Sequence, residues 1–288
     1  MNTSPLAMVN LGCGSRFHRD WVNFDLTPAG DAVRRANFID GIPLPDAAAS
    51  CVYHSHVLEH LPLDVARRFL TECHRVLAPG GILRVVVPDL EQSARDYLDV
   101  LDRRRRRQGG SGSGSGGGGG GDGGDVSPVA HRWMMLEMFD QMVRNKPGGE
   151  WSQALAQGAG DDPFVRPRLG AFGVGLANAL RGGSNGAAGR GTLKQRVFRR
   201  LLCVLPRRLG DTLAEVRYRR AGELHLWMYD ELFLRDVLEQ VGFTQVRRMT
   251  AQTSDIPDFA RYGLDVEPDG TPWKGVSLYV EARKGARA

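Results

Sequence analysis

The feature that most constrains this chain is Ile82-Leu-Arg-Val-Val-Val87, apolar at five of six positions. A strand so nearly uniform needs burial on both faces, as in a parallel sheet flanked by helices. The residues before it agree. From Asp64 to Leu77 apolar side chains fall at Val65, Phe69, Leu70, Cys73, Val76 and Leu77, which is helical spacing, and Pro79-Gly80-Gly81 ends that helix. Further strands are predicted at Ala7–Leu11, Trp21–Leu26, briefly at Asn37–Ile39, and at Cys51–Ser55. Near the other end, Asp230 is expected to cap a helix that runs to Val241 and stops at Gly242. Gln245–Met249 and Ser277–Ala282 then read as two closing strands. The fold class is α/β: a Rossmann-like, mostly parallel sheet with helices on both faces, interrupted by a largely helical and irregular insertion.

Four segments follow. Residues 1–102 form the first part of the α/β core, and 103–130 an arginine run with a Gly/Ser-rich flexible linker. Residues 131–222 form an inserted substrate-cap segment, and 223–288 complete the core. Gln92–Leu101 reads as a helix, with Arg103 to Arg107 following it. Residues 109–124 are Gly and Ser apart from Asp122, too poor in apolar surface to offset their ordering entropy. Trp133–Val143 carries a helical Met/Leu/Phe pattern that would cap the active site, its methionines forming an adaptable pocket. Residues 147–191 resist assignment, and Thr192–Leu205 reads as a basic helix.

The composition is that of a soluble protein, 42% hydrophobic and 25% charged, with no apolar run of the roughly 18–20 residues a membrane span needs. Met1–Ala7 lacks the features of a signal peptide. Cys13, Cys51, Cys73 and Cys203 show no paired spacing, which fits free thiols and a cytoplasmic location. The net charge of +5 is local, concentrated at Arg103–Arg107 and at 194–208.

The chemistry begins at the first strand. A strand feeding Gly12-Cys-Gly14 lets the backbone approach a ligand closely, because glycine has no Cβ. The second strand ends in Asp25, where a carboxylate can accept two hydrogen bonds from a ribose diol. This pairing is the logic of nucleoside recognition. A dinucleotide site would need a third glycine where Phe17 stands. It would also need a longer helix than Ser15–Asp20 allows, so a cofactor without phosphates fits better.

In series, Val9-Asn-Leu-Gly-Cys-Gly14, Trp21-Val-Asn-Phe-Asp25, Ile42-Pro-Leu-Pro-Asp46, His56-Val-Leu-Glu-His60 and Arg75-Val-Leu-Ala-Pro-Gly-Gly81 resemble the type 11 class I methyltransferases over residues 7–90, and more loosely over 223–285. The resemblance implies seven strands with the last antiparallel, and S-adenosylmethionine (SAM) as cofactor at the carboxyl ends of strands one, two and four. It implies that Gly12 and Gly14 face the methionine part and Asp25 the ribose, with Asn10 and Cys13 also at the cofactor. Phe38 and Asp40 would lie near the adenine, and His54, Ser55 and His56 would line the pocket. The family often has an acidic residue where Asn10 stands and a glycine where Arg16 stands; the Asn10 amide oxygen still accepts hydrogen bonds.

Methyl transfer from a sulfonium is an in-line displacement, in which the enzyme chiefly positions the nucleophile. For a hydroxyl acceptor a general base helps, and the candidates are His56 and His225, ahead of Asp89. His54, His56 and His60 with Glu59 do not offer three ligands in one geometry from sequence alone, so no metal is expected. The expected acceptor is a small molecule or a saccharide, lipid-linked forms included, methylated on oxygen. The basic stretch 193–205 is a candidate for peripheral contact with an anionic membrane, at the inner membrane surface. Nucleic acid is not expected as a partner, because the arginine run has no aromatics interleaved. The alternative from another class is a non-catalytic binding or scaffold protein that keeps the fold.

Overall fold

A computed structural model describes residues 6–109, 126–182, 207–219 and 222–285. The Gly/Ser stretch 110–124 and the basic segment 193–205 lie outside the described residues. In chain order the strands are β1 (Ala7–Leu11), β2 (Val22–Asp25), β3 (Val33–Arg35), β4 (Ala49–Ser55) and β5 (Leu77–Pro88), then β6 (Phe243–Met249) and β7 (Ser277–Lys284). The helices are α1 (Leu63–Val76), α2 (Leu90–Gly109), α3 (Pro128–Met135), α4 (Gly149–Ala156), α5 (Gly170–Arg181), α6 (Arg207–Arg219) and α7 (Glu231–Val241). No described helix is long and apolar enough to cross a membrane. The chain divides into two compact units, residues 1–91 with 225–288, and residues 92–224.

The first unit holds one seven-stranded sheet in the order β3-β2-β1-β4-β5-β7-β6. β1 to β5 pair in parallel, and β7 runs antiparallel to both β5 and β6. The third strand is not Asn37–Ile39. Val33–Arg35 takes that place, and Phe38–Asp40 is a 3-10 turn that Asn37 caps by accepting from the Ile39 N–H. An edge strand with a single buried residue, Val33, carries almost no periodic signal.

On one face, α1 and α7 pack over Val9, Leu11, Phe24, Val52, Leu83, Val85 and Val280. Phe69, Leu70, Cys73 and Val76 of α1 and Leu234, Val237 and Leu238 of α7 are buried there, each such large side chain worth roughly 1.5–3 kcal/mol. Asp230 accepts from the Phe233 N–H at 2.8 Å, and Gly242 takes φ +103°, so α7 starts and stops where the sequence predicts. Lys284 reaches back to the carbonyls of His74 and Leu77, each at 2.7 Å, and closes the end of α1.

The other face is covered differently. The connections 12–21 and 26–32 hold no helix, and residues 250–276 lie over this side with a single 3-10 turn at Phe259–Tyr262. Trp21, Tyr53, Phe259, Tyr262, Leu264 and Tyr279 form its core. Arg84, fully buried in β5, fastens the segment. Its guanidinium donates to Asp265 at 2.7 Å, to Glu281 at 2.8 Å, and to the carbonyls of Thr250 and Thr253 at 2.8 and 2.9 Å. Tyr53 donates to the same Asp265 at 2.6 Å.

In the second unit α2 runs through the arginines to Gly109, beyond the expected stop at Leu101. Arg103 pairs with Asp99 and Arg105 lies 3.9 Å from Asp102, so successive turns screen part of the charge. α3 passes through a π turn at Leu136–Asp140 into the short helix Gln141–Val143. Met134 of the expected pocket is fully buried and Met135 is exposed. Trp133, Ala154, Leu155, Val165, Leu169 and Ala177 form this unit's core.

Candidate active site

The glycine turn stands at the carboxyl end of β1. Gly12 (φ +66°) and Gly14 (φ +53°) both take the left-handed conformation that favours glycine. At Gly12 there is a second reason. A Cβ there would lie 2.4 Å from Cγ2 of Val57, so the turn after β4 closes directly on the turn after β1. At Gly14 a Cβ would meet nothing within 4 Å, so the space above it is open.

Asp25, at the tip of β2, accepts from the Gly14 N–H at 2.8 Å and from the Thr27 N–H at 2.7 Å. Each oxygen keeps a further lone pair, and the side chain is half-buried. Asn10 is buried beside Asn23. Its amide donates to the Arg16 carbonyl and to Asn23, while its own oxygen has no partner. An unpartnered buried acceptor under an open glycine turn suits an ammonium or amide group of a ligand better than an empty loop. Cys13 is buried, and burial pushes its thiol up to about 12, so it contributes no thiolate. Arg16 turns away from the loop. It donates to Glu267 and to the Val266 carbonyl and lies over Trp273, 4.2 Å from the ring centroid. The residue that departs from the family pattern thus anchors the irregular segment.

Phe38 packs on Phe69 at 5.5 Å between ring centroids, and His54 meets the same Phe69 edge-on at 5.1 Å. His54 is fully buried with neither ring nitrogen partnered, and burial depresses its pKa to about 3. Asp40 is exposed and accepts from Asn37 at 2.9 Å. Ser55 is the last residue of β4.

Beyond β4 a cluster of polar side chains gathers. His56 takes φ +54°, an uncommon conformation for a residue with a Cβ, of the kind found where function overrides local preference. Its Nε2 lies 3.0 Å from the Ser277 hydroxyl, and its Nδ1 3.0 Å from Oε1 of Glu59. Burial, then Lys274, holds the His56 ring well below its ordinary pKa, so it is neutral. Glu59 is fully buried, and its main-chain carbonyl accepts from the N–H groups of Leu226 and Trp227, which brings His225 into the cluster. Nε2 of His225 stands 3.9 Å from Oε1 of Glu59, and the rings of His60 and His225 lie 4.9 Å apart. Tyr229, whose hydroxyl is buried and unpartnered, feels the same carboxylate.

His56 and His225 therefore share one neighbour, although 169 positions separate them. Asp89 is a different case. Its carboxylate accepts from Arg248 at 2.6 Å, so it is engaged in an ion pair. Sequence reasoning did not assign Glu59 or Lys274 to this polar cluster. A carboxylate between two histidines in His56-Val-Leu-Glu-His60 was the available signal for Glu59, and Lys274 had none. Arg75 explains why two of the quoted motifs occur together. It donates to the carbonyls of Ile42 and Leu44 and to Asp46, tying Ile42–Asp46 to α1.

Residues 10–85 match the family described as a methyltransferase domain. Over 57 residues the chain is 44% identical to a probable S-adenosylmethionine-dependent methyltransferase of Mycolicibacterium smegmatis; the match takes in 20% of this chain and 21% of that protein's length. A solved SAM-dependent methyltransferase from Mesorhizobium loti aligns over 99% of this chain and 93% of its own, with 13% identity and a TM-score of 0.36. One from Archaeoglobus fulgidus aligns over 98% and 87%, with 10% identity and a TM-score of 0.38. Residues 10–85 are thus similar to a methyltransferase domain, and the sheet order and glycine turn around them agree with the α/β fold that the similarity implies. The matched stretch is the one that carries the motifs resembling the type 11 SAM-dependent methyltransferases.

Proposed function

We propose that this protein transfers the methyl group of SAM to a hydroxyl oxygen of a small-molecule or saccharide acceptor. The observation that carries this reading is the contact of two turns, Val57 against Gly12. It sets the nucleoside-recognition residues beside a cluster holding a neutral imidazole. SAM supplies an electrophilic methyl on a sulfonium. Gly12 and Gly14 leave room for its methionine part, the free oxygen of Asn10 receives a donor from it, and Asp25 accepts from the ribose diol. His56 takes the proton of the acceptor hydroxyl at Nε2, through the Ser277 hydroxyl 3.0 Å away, and the Glu59 carboxylate 3.0 Å from Nδ1 offsets the charge the ring gains. His225 is the second candidate for that role. The engaged carboxylate of Asp89 ranks behind both.

Calorimetric titration with SAM and S-adenosylhomocysteine, on wild type and Asp25→Ala in parallel, tests the cofactor half. Micromolar binding that weakens at least tenfold in the variant is expected, as for two lost hydrogen bonds. A folded wild type that binds neither ligand overturns the reading. Binding of SAM without methyl transfer to any of a broad panel of hydroxylated acceptors would leave the scaffold alternative in its place.

A further inference from the structure

Glu59 is a fully buried carboxylate whose cationic neighbour, Lys274, is itself held below its ordinary pKa by burial. Its carboxylate is fully buried, and neither oxygen makes a hydrogen bond; Nδ1 of His56 comes within 3.0 Å of Oε1 without the alignment of one. A buried carboxylate in that condition is costly unless a cation answers it. The nitrogen ligands of His60 and His225 stand close by, and one atom from each of Glu59, His60 and His225 lies within 4.8 Å of the others. Two imidazoles and a carboxylate are the donor set of zinc, manganese, iron and cobalt sites that keep positions open for water or substrate.

We propose that Glu59, His60 and His225 form a site for a divalent transition-metal ion. An ion bonded at about 2.1 Å holds tetrahedral ligands roughly 3.4 Å apart. Side-chain rotations that close the cluster by up to about 1.4 Å are therefore enough. His60 ends a 3-10 turn and His225 lies in the extended chain before Tyr229, and neither belongs to the rigid centre of a helix or strand. Bonds from Leu226 and Trp227 to the Glu59 carbonyl bring the two stretches together, so the main chain positions the ligands before any ion arrives. There an ion would bind the acceptor oxygen and ease loss of its proton. From sequence alone the histidines offered no third ligand, because His225 joins the cluster only through the fold.

The inference goes beyond the methyl-transfer reading, and its test does not depend on turnover. Full-length protein is stripped with a chelator, dialysed and titrated with Co²⁺, followed by calorimetry and by visible absorption. One equivalent is expected to bind, with the absorption bands of a low-coordinate ion. Glu59→Gln and His225→Asn are each expected to weaken binding at least tenfold, and His74→Asn on α1 to leave it unchanged. SAM titration of the same samples reports whether each variant is folded and keeps the two claims separate. If Glu59→Gln fails to fold, His225→Asn decides. Wild type that binds SAM but takes up no Co²⁺ overturns the proposal, and Glu59 is then the counter-ion of Lys274. Uptake unchanged in His225→Asn overturns it as well.

Discussion

The two faces of the sheet are stabilised by different means. Over one, α1 and α7 lay down apolar stripes whose ends are closed by groups nearby in sequence: Asp230 three residues before Phe233, and Gly242 directly after α7. Over the other, an irregular segment is fastened by a buried arginine to carboxylates 181 and 197 residues away. A helix satisfies its own backbone, so its cover needs only side chains of the right period. A segment without helices leaves its carbonyls to be met by something else, and here Arg84 meets those of Thr250 and Thr253. Cover without regular structure is bought with buried charge.

The largest effect should come from breaking that charge. Arg84→Met keeps much of the volume but strands Asp265 and Glu281, which are 2–3% exposed at their side chains. Removing one partner of a buried ion network costs about 3–5 kcal/mol. Urea unfolding is expected to show this loss, and adding Asp265→Asn and Glu281→Gln to the variant should recover part of it. If the single variant loses less than about 1 kcal/mol, comparable to a surface pair, the two faces do not differ in the way described.

The second test falls on the helical face, where a histidine is buried. His54 sits against Phe69 with its pKa depressed to about 3 by burial. The unfolded chain therefore binds a proton near pH 6.5 that the native state refuses. Stability is fully present above about pH 6.5 and falls on acidification toward pH 3, by roughly 1.4 kcal/mol per pH unit for one such group. His56, also depressed, adds to the fall with the same sign. Urea midpoints at pH 7, 6 and 5 are expected to decline less steeply in His54→Leu than in wild type. Equal slopes would show that His54 takes up its proton as readily in the native state as in the unfolded chain.

Legibility in sequence follows the same division. The helical face could be read because its signals are local: the spacing in α1, the Asp230 cap, the apolar β5. The position of the glycine turn and Asp25 was legible for the same reason. The charged network was present only as two interruptions, Arg84 in an apolar run and Glu281 in another, which face each other across β5 and β7. Nothing in either run says that the other residue is its partner. The polar cluster was half legible. His56, Glu59 and His60 are neighbours in the chain, but His225 reaches them only through main-chain bonds to Glu59, and Lys274 has no sequence signal. β3 was misplaced because a strand with one buried residue resembles a turn.

The smallest effect sharpens the comparison from the local side. Asp230→Ala removes one acceptor from the first turn of α7 and leaves the apolar stripe of Leu234, Val237 and Leu238 in place. Loss of an N-cap costs about 1 kcal/mol, or about 2–4 °C in a chain with units of this size. The freed Phe233 N–H is half-buried and near water, so solvent replaces most of what the carboxylate supplied. A local closure can fail without loosening its helix because the burial beneath it is spread over many contacts. The Arg84 network has no such reserve, since one guanidinium serves four acceptors. Thermal melts of Asp230→Ala and Arg84→Met side by side should differ by a factor of about three or more in lost stability. Equal losses would mean that the helical face depends on its cap as heavily as the irregular face depends on its arginine.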